Sequence, residues 1–449
     1  MVKKMRDGDD MAEKEKKKLS LKRRTPREVL DAYVPDIPVT AAGKFTRTIM
    51  RLLTLSCPAR FHYDFKRREM KGRQVLILSQ HASTDDPYYV NAGYPFIQPN
   101  AVMSLHNVLI PGMYRLLLAD GVILKSLYEP DIKATRNLMR LYKKGASFLL
   151  FPEGIQSTDG TAQPLHPSTA RLIKKLGMDT VLCTSHGAYL CNPRFDNNKR
   201  KGRIEYSYEM LFTKDELKEM TEEELYSRLL EKFCYNDFAW NREKQFCYKG
   251  KVPLAHGLDN IMFVCPRCGK QFSMHVEGNR LLCSCGSAVT IDDRYNLIPD
   301  DSRDFPFAGI DEWYRWQRDI IAEEVSREDF VLREDVIYRM LNLEDLSKGR
   351  YVTVGEGQLV LDRNYLKYTG TRNGEEAELD FEISRLPSTA LSSALANQVY
   401  YDGVYHQFDV KGGHGHAVKL MMAVEVLHDM SDPDRRKARS DAERASAAR

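Results

Sequence analysis

A histidine followed five positions later by an aspartate, His81 and Asp86 in the run His81-Ala82-Ser83-Thr84-Asp85-Asp86, is a candidate proton-transfer pair. On one helix the two would stand roughly 140° apart, at about 100° per residue, and could not touch. Across a strand-to-helix turn they can meet. Asp86 would then accept the proton of one imidazole nitrogen, fix the tautomer and leave the other nitrogen as a general base for a hydroxyl. The pair brings no nucleophile of its own. The competing reading is a loop histidine that caps a helix. His106, His166 and His186 are lone histidines and read as structural hydrogen-bonders.

Two elements must hold this pair. Residues 75–78 form a continuous apolar run, the pattern of a parallel strand covered on both faces, and Asp85 or Asp86 before Pro87 makes a helix N-cap with proline at the first helical position. His81 therefore falls at the carboxyl end of a strand, where open α/β sheets place ligands. Beyond it, strand and helix periods alternate: strands at 101–103, 121–124, 147–151 and 180–184, and helices at 107–119, 131–144 and 168–176. This predicts an α/β domain with a mainly parallel sheet and helices on both faces.

The run from His81 to Asp86 resembles the first motif of the glycerolipid acyltransferases, the family that includes lysophosphatidate acyltransferases, and Phe151-Pro152-Glu153-Gly154 resembles its Phe-Pro-Glu-Gly motif at a matching interval. The resemblance covers roughly residues 40–250 and implies an O-acyltransferase of phospholipid synthesis. His81 would be the base and Asp86 its orienting partner, with acyl-CoA or acyl-carrier protein as donor and a lysophosphatidate-like membrane lipid as acceptor. Glu153 and Gly154 correspond to the acceptor-binding loop. The sequence departs from the family where that loop continues as Ile155-Gln156-Ser157, with Gln156 in place of an arginine, and where Gly121-Val122-Ile123-Leu124-Lys125-Ser126 carries Lys125 instead of one. Gln156 cannot make a charged bidentate contact. Gln156, Ser157, Lys125 and Arg194, the last in the run 187–194, are the remaining substrate-binding candidates. The acceptor is then either a lysophosphatidate held by other cations or a lipid without a phosphomonoester, and a catalytically silent lipid-binding scaffold is the alternative.

A second chemistry sits at Cys265-Pro266-Arg267-Cys268 and Cys283-Ser284-Cys285, two cysteine pairs each followed by glycine. Four thiolates at this spacing suit a structural, tetrahedral zinc. The fragment resembles ribbons appended to bacterial acyltransferases of this type. Its hairpin lacks a dense basic and aromatic face, so no nucleic-acid partner is expected.

The rest of the chain divides around these sites. Residues 1–28 carry eleven Lys and Arg against six Asp and Glu, or +5 of a total of +4, so the body is near neutral. This basic tail reads as disordered, either solvated or drawn to anionic lipid. Residues 43–56 form an amphipathic helix with basic flanks, placed in a membrane interface or on the domain. The expected segments are an acyltransferase domain at 29–250, a zinc ribbon at 255–299, a helical connector at 300–345, an antiparallel β domain capped by a helix and resembling pleckstrin-homology or GRAM folds at 346–430, and a disordered tail at 431–449. With no apolar run near the length of a membrane span, about 18 residues or more, and no apolar segment placed like a signal peptide, the expected location is cytoplasmic and peripheral on the inner face of the membrane.

Overall fold

The structure is a computed structural model that describes residues 24–447 apart from 39–40, 95–97, 130, 304 and 394–395. Seven strands, β1 (Arg60–Tyr63), β2 (Val75–Ser79), β3 (Asn100–Ser104), β4 (Ile123–Lys125), β5 (Phe148–Leu150), β6 (Asp179–His186) and β7 (Glu205–Phe212), form one sheet with β2 at its centre. On one side of β2 lie β5, β3 and β4; on the other lie β6, β7 and β1. All five residues of β2 are buried, and they serve two cores. Val75 and Ile77 pack with Tyr89, Val90 and Val181 on one face, while Leu76 and Leu78 pack with Leu138, Ile173 and Leu225 on the other. This two-faced burial explains why β2 is apolar throughout.

Pairing is parallel between β2 and β5, β2 and β6, β3 and β5, β3 and β4, and β1 and β7. The expected α/β class with a mainly parallel sheet therefore holds, but β1 and β7 were not foreseen, and β7 runs antiparallel to β6. Its sequence alternates Glu205, Ser207 and Glu209 with Tyr206, Tyr208 and Met210 before ending on Leu211-Phe212, the period-two pattern of a strand and not the continuous run of its neighbours. Helices begin at side-chain caps: Asp131 accepts from the Ala134 amide ahead of Ile132–Lys143, and Thr221 and Glu224 form a capping box ahead of Glu222–Lys232.

The basic stretch from Lys14 to Arg23 lies outside the described residues. The helix Pro26–Asp31 begins within the segment expected to be disordered. Thr25 and Glu28 form a capping box on Pro26–Asp31, and the Arg27 amide donates to the Leu343 carbonyl at 3.0 Å. The helix Ala41–Leu53 buries Met50 but leaves Phe45, Leu52 and Leu53 exposed, as is Leu55 beyond it. Among the described residues, no helix is long and apolar enough to cross a membrane.

The cysteine-rich segment folds into four antiparallel strands, Met274–Glu277, Arg280–Cys283, Ala288–Ile291 and Leu297–Pro299. The expected connector is only partly helical. After Ile310–Val325 comes the strand Leu332–Leu341, which pairs with Tyr351–Leu361 and Val404–Val410, so the β domain starts well before 346. The charges of Arg333, Glu334, Asp335 and Arg339 hid the alternation of Val336 and Tyr338. Seven antiparallel strands and the closing helix His416–Ser431 make up this C-terminal domain.

The tail is a helix as well, Pro433–Ala447, because Arg435 and Arg439 find carboxylate partners in Asp429 and Glu425 on the preceding helix. One core runs from Val75 and Tyr206 through Cys265 and Trp313 to Val336 and Ala417, joining the α/β domain, the cysteine-rich sheet and the C-terminal domain.

Candidate active site

The geometry at the end of β2 follows from a short loop and a helix start. His81 leaves the strand, and the helix Asp86–Gly93 begins with Pro87 in its first turn. Asp85 is the N-cap but makes no side-chain cap; its carboxylate instead takes Lys199 at 2.6 Å and Asn192 at 3.2 Å. Asp86 turns back into the loop. Its Oδ2 lies 3.3 Å from His81 Nδ1 and accepts the Ser83 amide at 2.7 Å, and its Oδ1 accepts the Tyr206 hydroxyl at 2.6 Å. Asp86 is fully buried, whereas the His81 side chain keeps 18% exposure. Burial pushes the Asp86 carboxyl up, and the bonds from His81, Tyr206 and Ser83 pull it back. A carboxylate held in this way fixes the imidazole by Nδ1 and leaves Nε2 to exchange protons.

The loop after β5 clamps the same histidine. Because β2 and β5 are adjacent and parallel, with Leu78 opposite Leu150, both loops emerge side by side. The His81 amide donates to Glu153 Oε1 at 2.8 Å, and its carbonyl accepts the Ser157 amide at 2.9 Å. Phe151 lies against the imidazole, with ring centroids 4.6 Å apart. Glu153 is thus turned inward. Its Oε2 accepts the Gln163 amide at 2.9 Å and the Tyr235 hydroxyl at 3.3 Å, which ties the loop together and leaves no oxygen directed at an acceptor. Gly154 holds a left-handed φ of 77° at an exposed turn, with nothing near the position of a Cβ; its backbone conformation, not crowding, calls for glycine.

The other candidates separate into two groups. Gln156 is buried and bridges the two loops: its Nε2 donates to the Ala82 carbonyl at 3.3 Å, and its Oε1 accepts from Arg194 Nη1 at 3.0 Å. Arg194 therefore reaches the His81 loop through the residue that stands where the family resemblance expects arginine. Ser157 is inside the loop, its hydroxyl donating to the Thr161 carbonyl at 2.7 Å. Lys125 lies at the far edge, three strands from β2, about 14 Å at ordinary strand spacing. Its ammonium donates to the carbonyls of Ser126 and Glu129 at 3.0 and 3.1 Å.

The lone histidines are structural partners. His166 meets Ser168 at the start of a helix, His186 stacks on Trp240, and His106 sits between Ser104 and Tyr400. His416 likewise stacks on Phe272 with centroids 3.7 Å apart and meets Glu334 at 3.0 Å.

Tyr206, Tyr235 and Gln163 were missed from sequence. Only Tyr206 left a signal, as one of the alternating aromatic positions of β7.

The four cysteines do converge. Cys265, Cys268, Cys283 and Cys285 place their sulfurs within 4.8 Å of one another. The Cys265 to Cys285 and Cys268 to Cys283 separations are both 3.8 Å. That is the edge of a tetrahedron with metal–sulfur bonds of about 2.3 Å, which gives about 3.8 Å, and it is far from a disulfide bond. The Ser273 hydroxyl lies 3.2 Å from Cys283 Sγ, a second contact of the kind that orients metal thiolates. The cluster can hold a metal ion and fits zinc.

Glu153 supplies a test of the clamp. Burial pushes its carboxyl from the ordinary 4.5 up to about 8, against the pull of the Gln163 and His81 amides and of Tyr235. The folded state then holds this proton more tightly than the unfolded chain does. Its contribution to stability is present at acidic pH and lost as pH rises toward about 8. The thermal midpoint should fall between pH 6 and 9, and Glu153→Gln should start lower but fall less over that range. Equal slopes in the two proteins would rule out Glu153 as the titrating group.

No protein-family model matches the chain, and no curated protein matches it. Among solved structures, the crystal structure of the 1-acyl-sn-glycerophosphate (LPA) acyltransferase from Thermotoga maritima matches with 18% identity and a TM-score of 0.37, over 42% of this chain and 76% of that one.

Proposed function

We propose that this chain is a peripheral-membrane O-acyltransferase that moves a fatty acyl group from acyl-CoA or acyl-carrier protein to the hydroxyl of a lysophospholipid-type acceptor. The observation that carries the reading is the buried Asp86 carboxylate against His81 Nδ1 at the carboxyl end of the central strand. The resemblance of the His81 and Phe151-Pro152-Glu153-Gly154 motifs, whose loops clamp each other through the backbone of His81, supports the same reaction.

In this mechanism His81 Nε2 takes the acceptor proton as the hydroxyl oxygen attacks the thioester carbonyl carbon. The tetrahedral intermediate collapses by breaking the C–S bond. The leaving thiolate recovers the proton from the imidazolium, which Asp86 stabilises meanwhile. The products are an ester and a free thiol, and no acyl-enzyme forms. Exposed Phe45, Leu52, Leu53 and Leu55 beside Arg51 suit insertion at a lipid interface. Zinc in the cysteine cluster would be structural, since four thiolates leave no open position.

The test is acceptor-dependent thiol release from acyl-CoA or acyl-carrier protein in liposomes, with lysophosphatidate, other lysolipids and monoacylglycerol as acceptors. Release by the wild type with any of these supports the reading. No release with any donor and acceptor, from folded protein that still binds liposomes, would leave a lipid-binding scaffold.

Tyr206 gives a second test. Tyr206→Phe removes one of the donors to a fully buried carboxylate, which should cost about 1–3 kcal/mol of stability. It also raises the Asp86 pKa further, because the lost bond favoured the charged form. The acidic limb of the rate profile should therefore move toward higher pH. A profile that stays in place would detach Asp86 from the reaction.

A further inference from the structure

Two cysteines outside the metal cluster touch each other. Cys57 Sγ lies 3.8 Å from Cys191 Sγ, although the residues stand 134 positions apart in the chain. Cys57 is half-buried and Cys191 is buried. Among the described residues, no third histidine, cysteine or carboxylate joins them as in the four-cysteine cluster, so the pair is not laid out for a metal. Two thiols in contact are the reduced form of a disulfide site. The bond needs about 2.05 Å, an approach of about 1.8 Å. Residues 57–59 belong to neither helix nor strand, so Cys57 can move without breaking either.

The two sulfurs differ in the way thiol–disulfide exchange requires. The contact with Cys191 brings the Cys57 thiol down to about 6, against burial and the charge of Asp85, and the same contact pushes Cys191 well up. The pair therefore keeps its thiolate on the sulfur that solvent reaches, and the thiolate is the attacking form. The proton stays on the buried partner. Both cysteines also border the support of His81. Tyr89 donates to the Cys57 carbonyl at 2.7 Å and stacks on Tyr206, the donor to Asp86. Asn192, next after Cys191, donates to Thr84 and Asp85 at 2.8 and 3.2 Å.

We propose that Cys57 and Cys191 form a redox-active dithiol whose substrate is a small-molecule disulfide, and whose oxidation ties the segment after the helix Ala41–Leu53 to the turn that holds Thr84 and Asp85. The Cys57 thiolate attacks one sulfur of the small disulfide, forming a mixed disulfide and expelling one thiolate. Cys191 gives up its proton to that thiolate, attacks the Cys57 sulfur and displaces the second. The two cysteines are thereby oxidised to one disulfide, and the small disulfide is reduced to one thiol and one thiolate. Neither step involves His81, so the inference stands apart from the acyltransferase reading.

The test incubates the full, zinc-loaded chain in mixtures of reduced and oxidised glutathione, quenches it with N-ethylmaleimide in denaturant and maps the cysteines by peptide mass spectrometry. As oxidised glutathione rises, Cys57 and Cys191 should lose alkylation together and appear as one linked peptide, reversible by dithiothreitol, with zinc content unchanged. Cys191→Ser should stop at a glutathione adduct on Cys57. Cys57→Ser should leave Cys191 without an adduct, since that sulfur is buried. Both thiols remaining open to alkylation in the wild type under oxidised glutathione alone would overturn the proposal. So would a Cys57 adduct that persists in the wild type without the link, or a link that forms only once zinc is lost or the chain is unfolded.

Discussion

His81→Ala should lower acyl transfer by about 10²- to 10⁴-fold, the range that a positioned general base supplies, with little effect on folding. The size of the loss follows from how little else is present to activate a hydroxyl. His81 is the imidazole that both motif loops hold, through its amide to Glu153 and its carbonyl to Ser157, and those two bonds come from the backbone and survive truncation. The imidazole is 18% exposed, so water can replace its 3.3 Å contact with Asp86 where it cannot replace the buried Tyr206 hydroxyl. The variant should therefore melt close to the wild type, retain its metal and bind acceptor. Asp86→Asn is expected to damage turnover comparably while costing more stability. An amide at that position meets the Ser83 N–H and the Tyr206 hydroxyl, both of which now donate to a carboxylate. A melting temperature that drops with Asp86→Asn but not with His81→Ala, and turnover lost in both, would separate chemistry from support. Turnover preserved in His81→Ala would end the general-base mechanism.

What could be read from the chain was whatever is local. The run 75–78 and the turn after it placed His81 and Asp86 together because a strand, a short loop and a proline-started helix leave one way to connect them. The cysteine spacing likewise closes on itself within a small sheet. What was not legible depends on distant chain. Glu153 looked like an acceptor ligand, yet its partners Gln163 and Tyr235 arrive from later loops and turn it inward. Tyr206 acts on Asp86 only because β7 returns beside β6 in the opposite sense. The early strand Leu332–Leu341 was obscured by the charges of Arg333 and Asp335, which face away from the core it completes, and of Glu334, which is buried on the same face as Val336 and meets His416.

Removing the metal should destabilise the whole molecule and not the cysteine-rich sheet alone. The four sulfurs sit at the end of a core that is shared with the strands beside His81 and Asp86: Cys265 and Cys283 are buried in the same cluster as Val75, Tyr206 and Tyr235. Neighbouring backbone is fixed from the connecting helix, where Gln317 Oε1 accepts the amides of Phe263 and Val264 at 2.7 and 2.8 Å and Trp313 donates to the Val264 carbonyl at 3.1 Å. From the other side, Lys419 on the closing helix reaches Gln271 at 2.8 Å. Four thiolates without their cation would repel one another inside this joint, and structural zinc contributes folding energy of about 10 kcal/mol or more in small domains. Chelation, or the double variant Cys265→Ser with Cys283→Ser, should therefore lower the melting temperature by about 10 °C or more. Activity should fall with it, as expected of a four-thiolate site that supports the fold. Cys247→Ser, at an exposed cysteine outside the cluster, should leave zinc content and melting unchanged. A chelated protein that has lost its zinc yet melts and turns over like the untreated one would show that the ribbon is an independent appendage and that the shared core does not couple it to the site.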